Sequence, residues 1–332
     1  MVVNHNGADF LLECLHSLRH QTAPPRTVVV VDNASTDGSI GQLHSCTPAV
    51  QLLSLASNLG FGAAVNRALA QTSEPWIALL NPDATADPDF LAALWAAGQQ
   101  SPRIGMVAAK ILNYQRRDQL DSAGLAIYPD GLARGRGRLQ SDRGQFDRLE
   151  PVFCPSGCAA LLRRAMLDEI GGFDESFFLY GEDTDLGYRA RLCDWECLYQ
   201  PRAVAYHRYS SSVGAYAALK AHLAERNRRT IAVQYFPWGR LLLASWHTAV
   251  RVGLQAFGAL RGRGAAARLR DQRSMAALAA AFLRARWDNL CRLPRTLEQR
   301  RRWTPRRRRA RHLFSRWQRD FGISARELTL TD

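Results

Sequence analysis

Apolar positions follow two alternating rhythms over the first hundred residues. TVVVVDNAS (27–35) is a continuous β-branched run that ends in turn-forming residues, the pattern of a strand buried on both faces. Ahead of it, GADFLLECLHSLRHQ sets Phe10, Leu11, Cys14, Leu15 and Leu18 on one face of a helix. QLLSL (51–55) reads as a short strand, GFGAAVNRALAQT (60–72) as a helix, and PWIALLNPDA (75–84) as a strand ending in a polar turn. DPDFLAALWAAGQQ (87–100) opens with a capping Asp and a Pro in the first turn, as a helix does. Only MVV precedes the polar NHNG, so the first strand is either a stub or begins upstream. The alternation predicts an α/β fold, a mostly parallel sheet with helices on both faces. Such sheets bind ligands beyond the carboxyl ends of their strands, which directs attention to NHNG, DNASTDGS, SNLGFG and NPDA.

The rhythm changes after residue 235. GRLLLASWHTAVRVGLQAFGALRG (239–262) is apolar, but His247, Arg251 and Gln255 recur in it at intervals of four. One polar stripe on an otherwise apolar helix suits a helix lying in a membrane interface better than a span of about 20 apolar residues. SMAALAAAFLRARWDNLCRL (274–293) is a second helix, of mixed apolar and basic character. The division expected is a catalytic body over 1–235 and a helical, Arg-rich, membrane-associating region over 236–332.

Charge sharpens that division. Residues 1–260 hold 24 Lys and Arg against 24 Asp and Glu, whereas 261–319 hold 19 Arg against three acids. Arg clusters beside amphipathic helices predict attraction to an anionic membrane surface. Arg runs interleaved with Trp303, Phe314 and Trp317 would also suit single-stranded nucleic acid, and a merely solvated tail is the third reading. No nucleic-acid module is recognisable, so nucleic acid is the least favoured partner. The N-terminus lacks the features of a signal peptide, and seven Cys, an odd number, suggest reduced thiols; both point to the cytoplasm. Cys154/Cys158 and Cys193/Cys197 share a spacing that suits either a zinc site or small buried thiols.

The densest chemistry lies in LYGEDTDL (179–186), where Glu182, Asp183 and Asp185 crowd the start of a helix. Three such carboxylates can cap the helix, hold a metal or include a general base. Asn4 and Asn6 follow the first strand and can reach a nucleotide or form Asx turns. Gly60 and Gly62 precede a helix whose N-terminus favours phosphate.

Taken in order, VVNHNG, VVVVDNASTDGS, SNLGFGAAVNRAL, LLNPDA, GGFDESFFLYGEDTDLGYRAR and AYHRYSSSVG resemble the GT-A-fold family 2 glycosyltransferases, and among them the rhamnosyltransferase-like branch. The resemblance covers roughly residues 1–235. It implies an inverting enzyme that moves a sugar from a nucleotide donor, dTDP-rhamnose first and UDP-sugars next, to a hydroxyl of a lipid-linked or polysaccharide acceptor. It also implies roles. Asp32 would accept a hydrogen bond from the base, and Asn58, Asn66 and Asn81 would join Asn4, Asn6 and Gly60 around the donor. Asn81-Pro82-Asp83 matches the acidic metal motif with Asn in its first place. Asp83 and His207 would then hold Mg²⁺ or Mn²⁺. Asp183 would be the general base and Glu182 would orient the site, leaving Asp185 to cap the helix or pair with Arg189. The rival is a GT-A scaffold without chemistry that binds sugar nucleotides or nucleic acid.

Overall fold

The computed structural model describes residues 1–46, 50–208, 217–261, 275–310 and 312–330. The chain forms two compact units, Met1–Leu125 with Gly135–Ser211, and Ala126–Arg134 with Ser212–Asp332.

The first unit opens with β1 (Val2–Asn4), α1 (Leu11–Arg19), β2 (Val28–Asp32), α2 (Ser39–Cys46), β3 (Val50–Ser54) and α3 (Phe61–Leu69). β2, the β-branched run, lies between β1 and β3, and all three are parallel. Their register sets Asn4 beside Asp32 and Asp32 beside Ser54, so these polar residues line one carboxyl edge. Next come β4 (Trp76–Leu80), β5 (Ala84–Ala86), α4 (Phe90–Gly98), β6 (Ile104–Asn113), β7 (Leu120–Ala123) and β8 (Leu125–Ile127). β9 (Ala133–Gly135), β10 (Glu150–Val152), β11 (Ala159–Arg163), α5 (Arg164–Ile170), α6 (Glu182–Leu192) and β12 (Glu196–His207) follow. A larger sheet runs in the order β10-β12-β6-β11-β4, with β5 on β12 and β7 on β6. β6 and β12 are parallel, whereas β11 slots between β4 and β6 antiparallel to both. The amide of Leu80 on β4 donates to the Met1 carbonyl beside β1, which links the two sheets.

The core explains the sequence pattern. Val2, Leu11, Cys14, Leu15, Val30, Phe90, Leu94, Val107 and Ile111 pack in one buried cluster between sheet and helices. α4 starts at Phe90, and its N-cap residue Asp89 makes no side-chain capping bond. The carbonyl of Asp87 accepts from Phe90 instead, and its carboxylate accepts from Asp89.

Besides residues 126–134, which hold most of β8 and β9, the second unit is helical: α7 (Ala217–Tyr235), α8 (Trp238–Leu260), α9 (Met275–Cys291), α10 (Leu293–Arg309), α11 (Leu313–Asp320) and α12 (Ala325–Leu330). The first unit thus ends at Ser211, ahead of the expected boundary at 235, because α7 packs against α9 and α10. Part of the basic segment is structural. Thr296, Arg300, Trp303 and Arg307 form the buried face of α10. Arg300 donates to the Phe236 carbonyl at 2.9 Å, and Arg307 to that of Gln234 at 3.3 Å. Trp303, Phe314 and Trp317 are buried, Trp303 edge-on to Tyr235. These rings are core, which corrects their reading as a stacking platform for nucleic-acid bases. No described helix is long and apolar enough to cross a membrane.

Candidate active site

The loops after β1 and β2 are sewn together by short polar side chains. Asn4 is fully buried and donates to the hydroxyls of Ser35, at 3.0 Å, and Ser39, at 2.8 Å. Asp32, at the end of β2, accepts from the Ser35 amide at 3.2 Å. Asn6, in the left-handed region with φ 56°, accepts from the Thr36 amide at 2.8 Å and donates its own amide to Ser35 Oγ. Asn33, just past the end of β2, is the hub of the next junction. Its amide group donates to Asn58 Oδ1 at 2.9 Å, and its Oδ1 accepts from the Leu59 amide at 2.8 Å. Asn58 Oδ1 also accepts from the Gly60 amide, so it holds the turn that leads into α3.

Three residues expected at the donor are otherwise engaged. Asn4 has no exposed surface, and its donors are spent on the β2–α2 turn. Gly60 has φ 84°, and a Cβ there would lie 2.3 Å from the Phe178 carbonyl oxygen. The close approach that requires glycine is therefore to Phe178, whose carbonyl also accepts from the Phe61 amide at 2.9 Å. That bond uses one of the free N–H groups at the start of α3. Asn66 clamps the GGFDES loop: it donates to the Phe173 carbonyl at 2.8 Å and accepts from the Phe173 amide at 2.9 Å. All three hold neighbouring loops in place through these contacts.

The loop that α3 grips leads directly to the acid cluster. Phe178, Tyr180 and Gly181 all have positive φ, at 65°, 67° and 91°. Such backbone costs ~1–3 kcal/mol for each non-glycine residue and is held only by its surroundings. It delivers Glu182 and Asp183 to the N-terminus of α6, both half-buried. Asp183 Oδ1 accepts from the Thr184 amide at 2.7 Å, and Oδ2 from the Gly157 amide at 3.3 Å. Burial raises the Asp183 pKa above the ordinary carboxylate value, and these hydrogen bonds offset only part of the rise. Burial first, and then the charge of Asp183, push Glu182 up to about 8. Glu182 Oε2 is buried without a hydrogen-bond partner. Asp185 stands apart: it is fully buried and paired with Arg189 at 2.8 Å, and Arg189 also donates to the carbonyls of Ile170 and Gly171. Of three neighbouring acids, one is structural and two share the half-buried start of the helix.

A second constellation forms where β4 and β12 end. His207 Nε2 faces Asp83 Oδ1 at 3.4 Å, and its Nδ1 lies 2.7 Å from Asp121 Oδ2 on β7. The Cys158 thiol lies against the same ring, and the Cys158 carbonyl accepts from the Asn81 amide at 2.8 Å. Burial alone would lower the His207 pKa, but Cys158, Asp121 and Asp83 together raise it well above the ordinary imidazole value. Among the described residues no group of three His, Cys, Asp or Glu could hold a metal ion by itself. Asp83 and His207 nevertheless offer an oxygen and a nitrogen that face each other, and Asp121 occupies the far ring nitrogen. An orienting carboxylate on the second nitrogen is the usual arrangement for a metal-binding imidazole. Sequence reasoning missed Asp121 and Gly157. The signal for Asp121 was a lone acid inside the short strand LDSA; Gly157 acts through its backbone and left none. Cys154, Cys158, Cys193 and Cys197 are buried free thiols.

The Asp183–Gly157 contact and the Asn81–Cys158 bond bring the starts of α6 and β11 to the end of β4. Comparison with known proteins gives this assembly a family. Residues 1–171 match the profile of Glycosyl transferase family 2. An N-acetylglucosaminyl-diphospho-decaprenol L-rhamnosyltransferase of Mycobacterium tuberculosis is 32% identical over 294 residues, 79% of this chain and 90% of that protein. Succinoglycan biosynthesis protein ExoO of Rhizobium meliloti is 28% identical over 64% of this chain and 61% of its own length. Among solved structures, a mannosyltransferase from Pyrobaculum calidifontis in complex with GDP-Man and Mn²⁺ superposes with a TM-score of 0.52 at 19% identity, covering 93% of this chain and 85% of that one. GalNAc-T7 with UDP, GalNAc and Mn²⁺ superposes at 0.57 and 16% identity over 71% of this chain and 47% of its own. The chain belongs to glycosyl transferase family 2 and is a GT-A-fold glycosyltransferase similar to a mycobacterial rhamnosyltransferase.

Proposed function

We propose that this glycosyltransferase moves a sugar, rhamnose from dTDP-rhamnose in first place and a sugar from a UDP donor in second, to a hydroxyl of a lipid-linked envelope glycan, with inversion. The observation that carries the chemistry is Asp183, a half-buried carboxylate steadied by the amides of Gly157 and Thr184. The relative's name supplies the acceptor class, a sugar on a diphospho-lipid.

Burial and the charge of Asp183 push the Glu182 carboxyl up to about 8, which favours its protonated form beside Asp183. Asp183 is proposed to be the ionised partner, whose charge the Gly157 and Thr184 amides stabilise. It takes the proton of the acceptor hydroxyl as the oxygen attacks the anomeric carbon, and the nucleoside diphosphate departs from the opposite face. A single displacement inverts the configuration. A base so placed is worth ~10²–10⁴ in rate. Asp83 and His207 would hold Mg²⁺ or Mn²⁺, with donor phosphates and water completing the ligand set. Bound there, the cation would neutralise charge building on the diphosphate. Asp32, Asn6, Asn58 and Asn81 border the donor side. Because the acceptor is lipid-linked, the enzyme works as a peripheral protein on the cytoplasmic face of the membrane.

The test is a donor screen that reads nucleoside diphosphate release, with membrane extract as the source of acceptor. Release from dTDP-rhamnose that depends on extract, stops with chelator and returns with Mg²⁺ or Mn²⁺ is expected. Release from no nucleotide sugar would refute the reading, and full activity in chelator would remove the metal from it.

A further inference from the structure

Helix α8 is amphipathic in the reverse of the usual sense. Its outward residues are Trp238, Leu242, Leu243, Trp246, Val252 and Phe257, with Leu242 79% and Trp246 66% exposed. Ala249, Gly253 and Ala256 fill the same exposed face, and Ser245 is its only polar member. The polar side chains point inward. Arg251 is 2% exposed and bonded to Asp130 at 2.8 Å and Glu225 at 2.6 Å. Thr248 donates to Asp130, Gln255 accepts from Arg251, and the His247 ring stands edge-on to Tyr128. The stripe of His247, Arg251 and Gln255 noted in the sequence therefore faces the protein, and the apolar face is turned out. A helix turned toward water normally shows the opposite arrangement.

We infer that this outward face of α8 is a docking surface for an anionic lipid bilayer, with the helix lying in the plane of the interface. The inference rests on the membrane-surface reading above and names the surface that makes the contact. Three observations select a bilayer. From Trp238 to Phe257 the face extends ~30 Å, yet no window of it is apolar enough to span a membrane. Two of its exposed side chains are Trp, the residue enriched where membrane meets water. α8 contains no acidic residue, and the sequence that follows it, 261–274, has five Arg against one Asp. A second copy would carry the same positive charge in this stretch of sequence, whereas anionic headgroups neutralise it. Single-stranded nucleic acid would need a basic groove with stacking rings, and the outward face of α8 carries no charge. α9 repeats the pattern with outward Leu283, Trp287 and Leu290 interleaved with Arg284 and Arg286.

The experiment uses the full chain, flotation with vesicles of phosphatidylglycerol and phosphatidylcholine, and the double variant Leu242→Ser/Trp246→Ser. These side chains touch solvent, so circular dichroism and melting should match the parent. Vesicle binding should fall at least ~tenfold, since two large apolar groups no longer leave water on docking. Trp95→Ser, an equally exposed ring of the first unit, should leave binding unchanged. Diphosphate release with a water-soluble acceptor should also survive the double change. If no donor is turned over while the variant still loses vesicle binding, the docking surface stands and the proposed function fails. Three results would overturn the inference: vesicle binding by the variant equal to the parent's; a dimer in light scattering that the double change dissolves while the parent ignores vesicles; or preference of the parent for a single-stranded oligonucleotide over the vesicles.

Discussion

Asp121 Oδ2 lies 2.7 Å from His207 Nδ1, so the ring keeps its other nitrogen turned to Asp83. The contact joins β7 to the end of β12 and makes Asp121 the positioning residue of the proposed metal site. Asp121→Asn should weaken activation by Mn²⁺ ~10–100-fold, the usual cost of removing an orienting partner, while the melting temperature changes little. A metal titration followed by diphosphate release checks this; parental metal affinity would detach Asp121 from the site.

Asp183→Asn should bind donor normally and lose ~10²–10⁴ in transfer rate, because the amide cannot accept the hydroxyl proton. Donor affinity by calorimetry separates this outcome from misfolding. Turnover near the parental rate would assign the base elsewhere.

Glu182 links stability to pH. Its folded pKa, about 8, lies above the ordinary carboxyl value of 4.5, so the unfolded chain releases this proton first. The stabilisation is therefore complete below the lower value and fades as pH rises through about 8. Glu182→Gln should melt close to the parent near pH ~5 and above it near pH ~9, a difference that grows with pH. Thermal melts at the two pH values decide; a constant difference would mean that the carboxyl is not perturbed.

Gly60→Ala tests the coupling of α3 to the loop that precedes Asp183. The new methyl would meet the Phe178 carbonyl at 2.3 Å, at a φ of 84° that Ala resists. A loss of about 2 kcal/mol or more in denaturant melts is expected, together with slower transfer as Phe178 shifts the segment leading to Asp183. Parental stability would show that the loop yields freely.

Much of this was legible in the chain. The β-branched run at 27–35 and the apolar faces of the early helices predicted β2, α1 and α3, because burial on a sheet imposes those periods on sequence. The antiparallel β11 was not legible: AALLR alternates with nothing that distinguishes its direction. Within the site, residue types were easier to identify than their roles. Asn66 and Gly60 occupy positions the family pattern marks, yet their partners are protein backbone more than a hundred positions away, at Phe173 and Phe178. Asp121 reaches His207 across 86 residues, and no local spacing encodes such a contact. The polar stripe of α8 was visible as a period of four, but its direction depended on Asp130 and Glu225, which lie outside the helix.

The buried Arg251 has a consequence for biogenesis. Until α8 packs against residues 126–134 and α7, its guanidinium lacks both carboxylates, and an unpaired Arg at membrane depth costs at least ~2.5 kcal/mol. The newly made helix is therefore a poor substrate for insertion during translation. Under the docking proposed above, attachment is therefore expected after α8 has packed against Asp130 and Glu225. A chain carrying Asp130→Ala, with the pairing broken, should stay with chaperones in a cell-free translation lacking membranes. The parent should leave them and bind vesicles added after synthesis has been stopped; attachment by the parent only when vesicles are present during synthesis would reverse that order.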